Sequence, residues 1–191
     1  YFLFVTFASH RRNISTKVEI MTRYNDIISV PFHWSKQVIV ISILTTLLII
    51  GAIIALEYVP IEESERWLKV PLQILLALTL IITIGFVPTQ LNADIEQVTL
   101  KKVFGNIEIP LHDIREVRRL SKSDLNKSIR IFGSGGMLGY FGFFYSKKIG
   151  LYTMYATEED NMILIRTDRK SYIFSCTKPD EFVEYITNSL R

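Results

Sequence analysis

The chain has 191 residues, which suits one or two domains, and 49% of its residues are hydrophobic. Its formal net charge of +3 is too small to favour nucleic acid as a partner. One cysteine excludes an internal disulfide, and the three histidines are too widely separated to give metal-ligand spacing, so we expect neither a metal nor a cofactor.

Residues 1–37 form an N-terminal segment. It begins with a short apolar run, but Arg11 and Arg12 follow that run instead of preceding it, which is not the order of a signal peptide. Met21 opens a more conventional stretch. We therefore interpret residues 1–20 as translated upstream sequence or the end of a fragment, outside the fold.

Two long uncharged segments follow, residues 38–56 (VIVISILTTLLIIGAIIAL) and residues 70–87 (VPLQILLALTLIITIGFV). At about 1.5 Å per residue, each would form a helix of roughly 27–28 Å, close to the hydrocarbon core of a bilayer at about 30 Å. Helices of a soluble bundle would carry charged residues on one face, and neither segment has any. The pattern predicts a transmembrane hairpin over residues 38–87.

The distribution of charge predicts the orientation of this hairpin. The link between the two segments is short, so both ends of the hairpin lie on one side of the membrane. Counted from Met21, four Lys or Arg residues near the spans lie on the terminal side and two lie in the link. The positive-inside rule then places both termini in the cytoplasm.

Residues 88–191 change character, with frequent charges and only short apolar runs. The stretch VTLKKVFGNIEIPL predicts a β-hairpin with a Gly-Asn turn, and SIRIF, GLYTMYAT, NMILIRT and SYIFSC predict further strands. DIREVRRL is ambiguous between a strand and a helical turn. The end, TKPDEFVEYITNSLR, predicts an amphipathic helix. The expected fold class is α+β, with a transmembrane hairpin followed by a β-barrel or sandwich and a C-terminal helix.

Three stretches of this second part share a recognisable pattern, namely VFGNIEIPLHDIREV, GSGGMLGYFGFFYSKKIGLYTMYAT and PDEFVEYI. Together they resemble the bacterial pleckstrin-homology-like (PH-like) domain family. The resemblance covers roughly residues 38–190. It implies a PH-like fold tethered by a two-helix segment to a bacterial cytoplasmic membrane, and it implies no activity.

The glycine-rich stretch within residues 130–152 is the most unusual feature of the sequence. A phosphate-binding loop would need a Lys-Ser/Thr pair and a following helix, and both are missing. Two interpretations stay open: the aromatic residues pack in the core, which the size of a β domain favours, or they contact the membrane or a partner. The candidate contact residues are Gly133, Gly135, Gly136, Gly139, Tyr140, Phe141, Gly142, Phe143, Phe144, Tyr145, Lys147 and Lys148.

A second candidate surface is basic. Its members could bind a lipid headgroup, although a solvated sheet face is the favoured interpretation because charged residues are usually exposed. The candidate basic residues are Lys101, Lys102, Arg115, Arg118 and Arg119.

No serine or cysteine lies in a catalytic motif such as Gly-x-Ser-x-Gly, so we expect no enzyme activity. The sequence predicts a membrane-anchored interaction or scaffold module. It would present a PH-like domain at the inner leaflet to an unidentified protein partner, a lipid surface or a second copy of itself. The alternative is a small membrane enzyme, or a subunit of a membrane complex, with a site at residues 133–150.

Overall fold

The computed structural model describes residues 27–60 and 62–190, apart from the side chains at positions 64 and 65. Within these residues the chain forms ten strands and three α-helices, besides short 3-10 helices. The expectations for residues 1–20 lie outside the described part of the chain.

Helices α1 (Lys36–Tyr58) and α2 (Lys69–Gly85) form the expected helical hairpin. Gln73 Nε2 donates a hydrogen bond to Glu57 Oε1 at 2.7 Å, so the end of α1 lies against the start of α2. By length and composition both helices could cross a membrane, with a mean hydropathy of 2.9 for Lys36–Tyr58 and 2.0 for Arg66–Gly85.

The first sheet contains strands from both sides of the helical hairpin. Its antiparallel strands, in spatial order, are β1 (Ile28–Pro31), β2 (Pro88–Ala93), β3 (Gln97–Lys102) and β4 (Asn106–Pro110). β1 precedes α1 and β2 follows α2, yet the two strands pair with each other. The helical hairpin is therefore inserted between two neighbouring strands of one sheet.

The second sheet has six strands in the order β5-β9-β10-β8-β7-β6, and β8 and β10 form its parallel pair. Its strands are β5 (Ile114–Leu120), β6 (Ile129–Gly136), β7 (Gly139–Ser146), β8 (Gly150–Ala156), β9 (Met162–Thr167) and β10 (Ser171–Ser175). The ambiguous stretch DIREVRRL is mainly strand β5, which pairs with β9.

Helix α3 (Pro179–Ser189) covers part of the core, as its amphipathic pattern predicts. Phe182 and Ile186 are fully buried, whereas Leu190, the residue just after the helix, is exposed. The buried residues of α3 join one cluster with Val30 of β1 and Ile163 of β9. One core thus unites α3 with both sheets.

The two sheets do not close into a barrel, which corrects one of the expected architectures. α3 contacts β1 of the first sheet and both β5 and β9 of the second. Helix packing, rather than strand pairing, therefore covers this side of the core.

Candidate functional site

The glycine-rich stretch is a strand hairpin, β6–β7, and not a long loop. Met137 and Leu138 alone separate the two strands. Gly133 pairs with Gly142 across the hairpin, with φ angles of +118° and +122°. A Cβ at either position would meet a carbonyl oxygen of the opposite strand. This pair therefore requires glycine for the close approach of the two backbones.

The tip of this hairpin lies against the first two turns of α1. The Leu138 N–H donates to Ser42 Oγ at 2.8 Å, and the Ser42 hydroxyl in turn donates to the Val38 carbonyl at 2.6 Å. A Cβ on Gly136 would lie 3.4 Å from Ile41 Cδ1. The hydrogen bond at Ser42 therefore fixes the tip to α1, and the absence of a side chain at position 136 leaves room for Ile41.

The start of α1 is also bound to the loop after β8. The Ser35 N–H donates to the Thr157 carbonyl at 3.0 Å, and the Thr157 hydroxyl donates to the His33 carbonyl at 2.6 Å. His33 Nδ1 lies 3.0 Å from Glu158 Oε2. The segment between β1 and α1 is thus bound to Thr157 and Glu158, the two residues that directly follow β8 of the second sheet.

The end of α2 is bound to both sheets. The Phe104 N–H, in the β3–β4 turn, donates to the Gly85 carbonyl at 3.0 Å. The Phe86 ring stacks on Phe141 of β7 with a centroid distance of 5.6 Å. Lys102 Nζ lies 5.1 Å from the Phe86 ring centroid, and burial lowers the pKa of this lysine. Neither helix is joined to the β structure by a free linker.

The aromatic residues of β7 divide between the two faces of the strand. Phe141, Phe143 and Tyr145 alternate onto the face that carries Phe86, which we call the anchor face. Phe141 is buried there, but Phe143 and Tyr145 are 49% and 44% exposed. The opposite face, which we call the cavity face, carries a partly buried tyrosine and a buried phenylalanine, Tyr140 and Phe144. The core interpretation therefore holds for Phe141 and Phe144, whereas Phe143 and Tyr145 are exposed, and their contact with a membrane or a partner stays a prediction.

The exposed part of the anchor face is a continuous apolar surface, which we call the outer patch. Cross-strand pairs join its members, with Ile129 opposite Tyr145, Tyr145 opposite Leu151, and Phe132 opposite Phe143. Their exposed fractions range from 44% for Tyr145 to 73% for Phe132. An exposed apolar surface of this kind is a candidate for contact with another molecule.

The cavity face holds a cavity of about 320 Å³ between the hairpin and the segment that joins β5 to β6. Phe144 and Met154 contribute apolar lining, and Arg130, Tyr140 and Glu159 contribute polar lining. Burial, followed by the hydrogen bond with Glu159, raises the pKa of Tyr140 to about 12. This phenol therefore stays protonated at neutral pH and can donate a hydrogen bond, but it cannot act as a base.

Ser128 also lines the cavity, and Gly135 makes room for the side chain of Arg130, another lining residue. The Arg130 guanidinium occupies the space where a Cβ on Gly135 would lie. The Ser128 hydroxyl oxygen is buried beside the Tyr152 hydroxyl, without a hydrogen-bond partner of good geometry among the described residues. The cavity is thus lined by both apolar side chains and hydrogen-bonding groups.

The family comparison covers the β structure beyond the helical hairpin. Residues 89–189, more than half of the chain, match the family described as Bacterial PH domain. The chain belongs to this bacterial PH domain family. Comparison with curated proteins and with solved structures gave no match. PH domains are generally non-enzymatic interaction modules.

The five predicted basic residues lie on β3 and β5, which belong to different sheets. Arg115 binds Asp168 through two hydrogen bonds of 2.7 Å, and Arg119 binds Asp180 at 2.6 Å. Arg118 lies 2.9 Å from Glu116. Lys102 lies over aromatic rings near the end of α2, and its neighbour Lys101 is exposed on β3. The three arginine charges are therefore compensated within the domain.

The remaining predicted contact residues lie at the ends of the β6–β7 hairpin. Gly139 follows the tip, where a Cβ would approach the Ala156 carbonyl oxygen to 2.8 Å. Lys147 is exposed in the β7–β8 turn, while Lys148 binds Asp124 at 3.3 Å. Hydrogen bonds from Ser121 to Asp124, with the nearby Lys148 charge, lower the pKa of that carboxyl group to about 2.

Sequence reasoning missed the contact of the PH domain with its helices. The sequence shows Ser42 only as a polar residue within an apolar span. A serine in that position can equally bond to a carbonyl group of its own helix. Its partner, Leu138, lies far along the chain. Within the described residues, no group of three or more His, Cys, Asp or Glu side chains could hold a metal ion.

Proposed function

We propose that this protein is a membrane-anchored, non-enzymatic interaction module. Helices α1 and α2 cross the bacterial cytoplasmic membrane as a hairpin, and the PH domain lies on the cytoplasmic side with both termini. From there it binds a protein partner, a lipid surface or a second copy of the chain. The observation that carries the proposal is the pairing of β1 with β2 on either side of the helical hairpin.

This pairing supports a hairpin that enters and leaves on one side of the membrane. Pro31 pairs with Gln90, so the chain segments before α1 and after α2 lie next to each other in one sheet. The hydrogen bonds at Ser35 and Gly85 hold both helix ends against the domain. A domain held in this way presents a fixed surface to the membrane and another to the cytoplasm.

Cysteine labelling can test this topology, and the parent protein serves as the unreactive control. Cys176 is buried, and burial raises its pKa to about 12, so it should not react with a membrane-impermeant maleimide. Two exposed glutamates supply matched positions, Glu63 between the helices and Glu184 on α3. In intact cells, Glu63→Cys should be labelled from outside, and Glu184→Cys should be labelled only after the membrane is disrupted.

The other labelling patterns have distinct meanings. Equal labelling of both variants in intact cells would refute a hairpin that crosses the membrane. Labelling of Glu184→Cys alone would keep the hairpin but reverse its orientation. The parent protein, with Cys176 only, measures background reactivity.

The cavity favours a second candidate function, in which the protein is a membrane enzyme or a ligand-binding subunit of a membrane complex. The cavity is lined by Tyr140 and Phe144 within the glycine-rich segment. A small-molecule library should then contain a compound that raises the melting temperature of the parent. Met154→Trp, which fills the cavity, should abolish that rise, and equal rises in both proteins would refute this site.

A further inference from the structure

The outer patch begins next to the point where α2 meets the domain. Phe86 follows the last residue of α2 and stacks on Phe141 at 5.6 Å. Phe143 lies two positions farther along the same face of β7, about 7 Å away at the usual rise of a strand. The surface that receives the end of α2 therefore continues without interruption into the outer patch.

The hairpin tip, which lies beyond Phe141 on the side away from the outer patch, is fixed by α1. Leu138, at the tip of the hairpin, donates to Ser42 at 2.8 Å, and Ser42 belongs to the second turn of α1. The anchor face is consequently held near both helices. Its open part cannot turn away from them without breaking the contacts at Ser42 and Phe86.

The composition of the outer patch fits the interfacial layer of a bilayer. Its exposed side chains are aromatic or aliphatic, and tyrosine and phenylalanine rings are favourable at the depth of the headgroups. Lys147 is exposed in the adjoining β7–β8 turn and can approach anionic headgroups. A surface that is already held at the membrane needs only weak contacts to stay bound, because its effective concentration there is high.

We infer that the outer patch is a third membrane contact, besides α1 and α2, and that its occupant is the phospholipid bilayer that the two helices cross. This inference rests on the proposed membrane insertion. The patch sets the tilt of the PH domain on the bilayer, and the cavity face is turned away from the lipid.

The test uses the full chain, reconstituted in vesicles of phosphatidylcholine and phosphatidylglycerol with or without brominated acyl chains, which quench fluorophores on contact. A nitrobenzoxadiazole label is placed on one of three exposed positions: Phe132→Cys in the patch, Leu48→Cys in α1 or Glu184→Cys on α3. Buried Cys176 remains unlabelled. Brominated lipid should reduce the emission from positions 48 and 132 and leave that from position 184 unchanged.

Failure of the two proposals can be told apart. Quenching at Leu48→Cys without quenching at Phe132→Cys would overturn the lipid contact and leave the membrane anchor intact. Absence of quenching at Leu48→Cys would overturn the anchor and the contact together. A label at position 132 that is shielded from aqueous iodide but insensitive to brominated lipid would show that protein, such as a second copy, covers the patch, and would also overturn the inference.

A loss-of-contact variant checks that the patch itself causes the binding. Phe132→Ser combined with Phe143→Ser removes two exposed rings and should leave the fold intact. With the label on Leu151→Cys, quenching by brominated lipid should fall in this variant relative to the parent sequence. Quenching that persists at the parent level would refute a role for these two rings.

Discussion

Replacement of Gly142 by alanine tests the packing of the β6–β7 hairpin directly. Its φ of +122° lies in a region that is essentially restricted to glycine, and an added Cβ would meet the Phe132 carbonyl oxygen and lie 2.8 Å from Gly133 Cα. Backbone strain of this kind costs about 1–3 kcal/mol, and overpacking costs about 1–3 kcal/mol more. Gly142→Ala should therefore lower the free energy of unfolding by about 2–6 kcal/mol.

Thermal unfolding in detergent micelles can measure this loss. Near-ultraviolet circular dichroism reports the packing of aromatic residues, and a Tm decrease of roughly 8–24 °C is expected at about 4 °C per kcal/mol. Gly105→Ala is the matched control, because Gly105 has a φ of +72° with no atom within 4 Å of an added Cβ. Its cost should be only about 1–2 kcal/mol. A Tm for Gly142→Ala equal to or above that of Gly105→Ala would refute the reasoning.

Three further predictions follow from the contacts described. Ser42→Ala removes the acceptor of the Leu138 N–H and should raise hydrogen exchange at Leu138, at a cost of about 1–3 kcal/mol. A fragment of residues 88–191 lacks β1 and should unfold at lower urea concentration than a chain in which a short linker joins β1 directly to β2. Because the pKa of Tyr140 is about 12 against an ordinary 10.0, its phenol should stay protonated at pH 11 in an ultraviolet titration. The free energy of unfolding should fall between about pH 10 and pH 12, because this tyrosine ionises first in the unfolded chain.

Each of these predictions has a control and a contrary outcome. Thr45→Ala removes a hydroxyl that bonds only within α1, so protection of Leu138 that falls equally in both variants would argue against the Ser42 contact. Equal urea midpoints for the two soluble chains would show that β1 contributes nothing to stability. Tyr140→Phe isolates the signal of one phenol, and a difference titration centred near pH 10 would contradict its burial.

The α+β class, the helical hairpin and most strands of the PH domain could be predicted because each has a local pattern. The buried strand β9 and the helix α3 are examples, since a short apolar run and an amphipathic stripe depend on neighbouring residues alone. β1 has only four residues, and although Ile28 and Val30 alternate with Ser29 and Pro31, so short a run ending in proline does not identify a strand. Its assignment depends on pairing with β2 across the whole helical hairpin, which periodicity cannot reveal.

Which aromatic side chains of β7 are buried and which are exposed could be predicted only in part. Strand alternation puts Phe141 and Phe143 on the same face, so it cannot explain why one is buried and the other exposed. The difference arises because Phe86 covers Phe141 and nothing among the described residues covers Phe143 to the same extent. Coverage of this kind comes from tertiary contacts between distant parts of the chain.

The position of β1 and β2 also fixes the order of events during synthesis. β1 leaves the ribosome before α1, and its partner β2 emerges only after α2. The four-stranded first sheet therefore cannot be completed until both helices have been made. Completion of the β structure is thereby a late step in synthesis, and a chain whose helices keep β1 away from β2 retains an unpaired edge on β2, which is prone to aggregation.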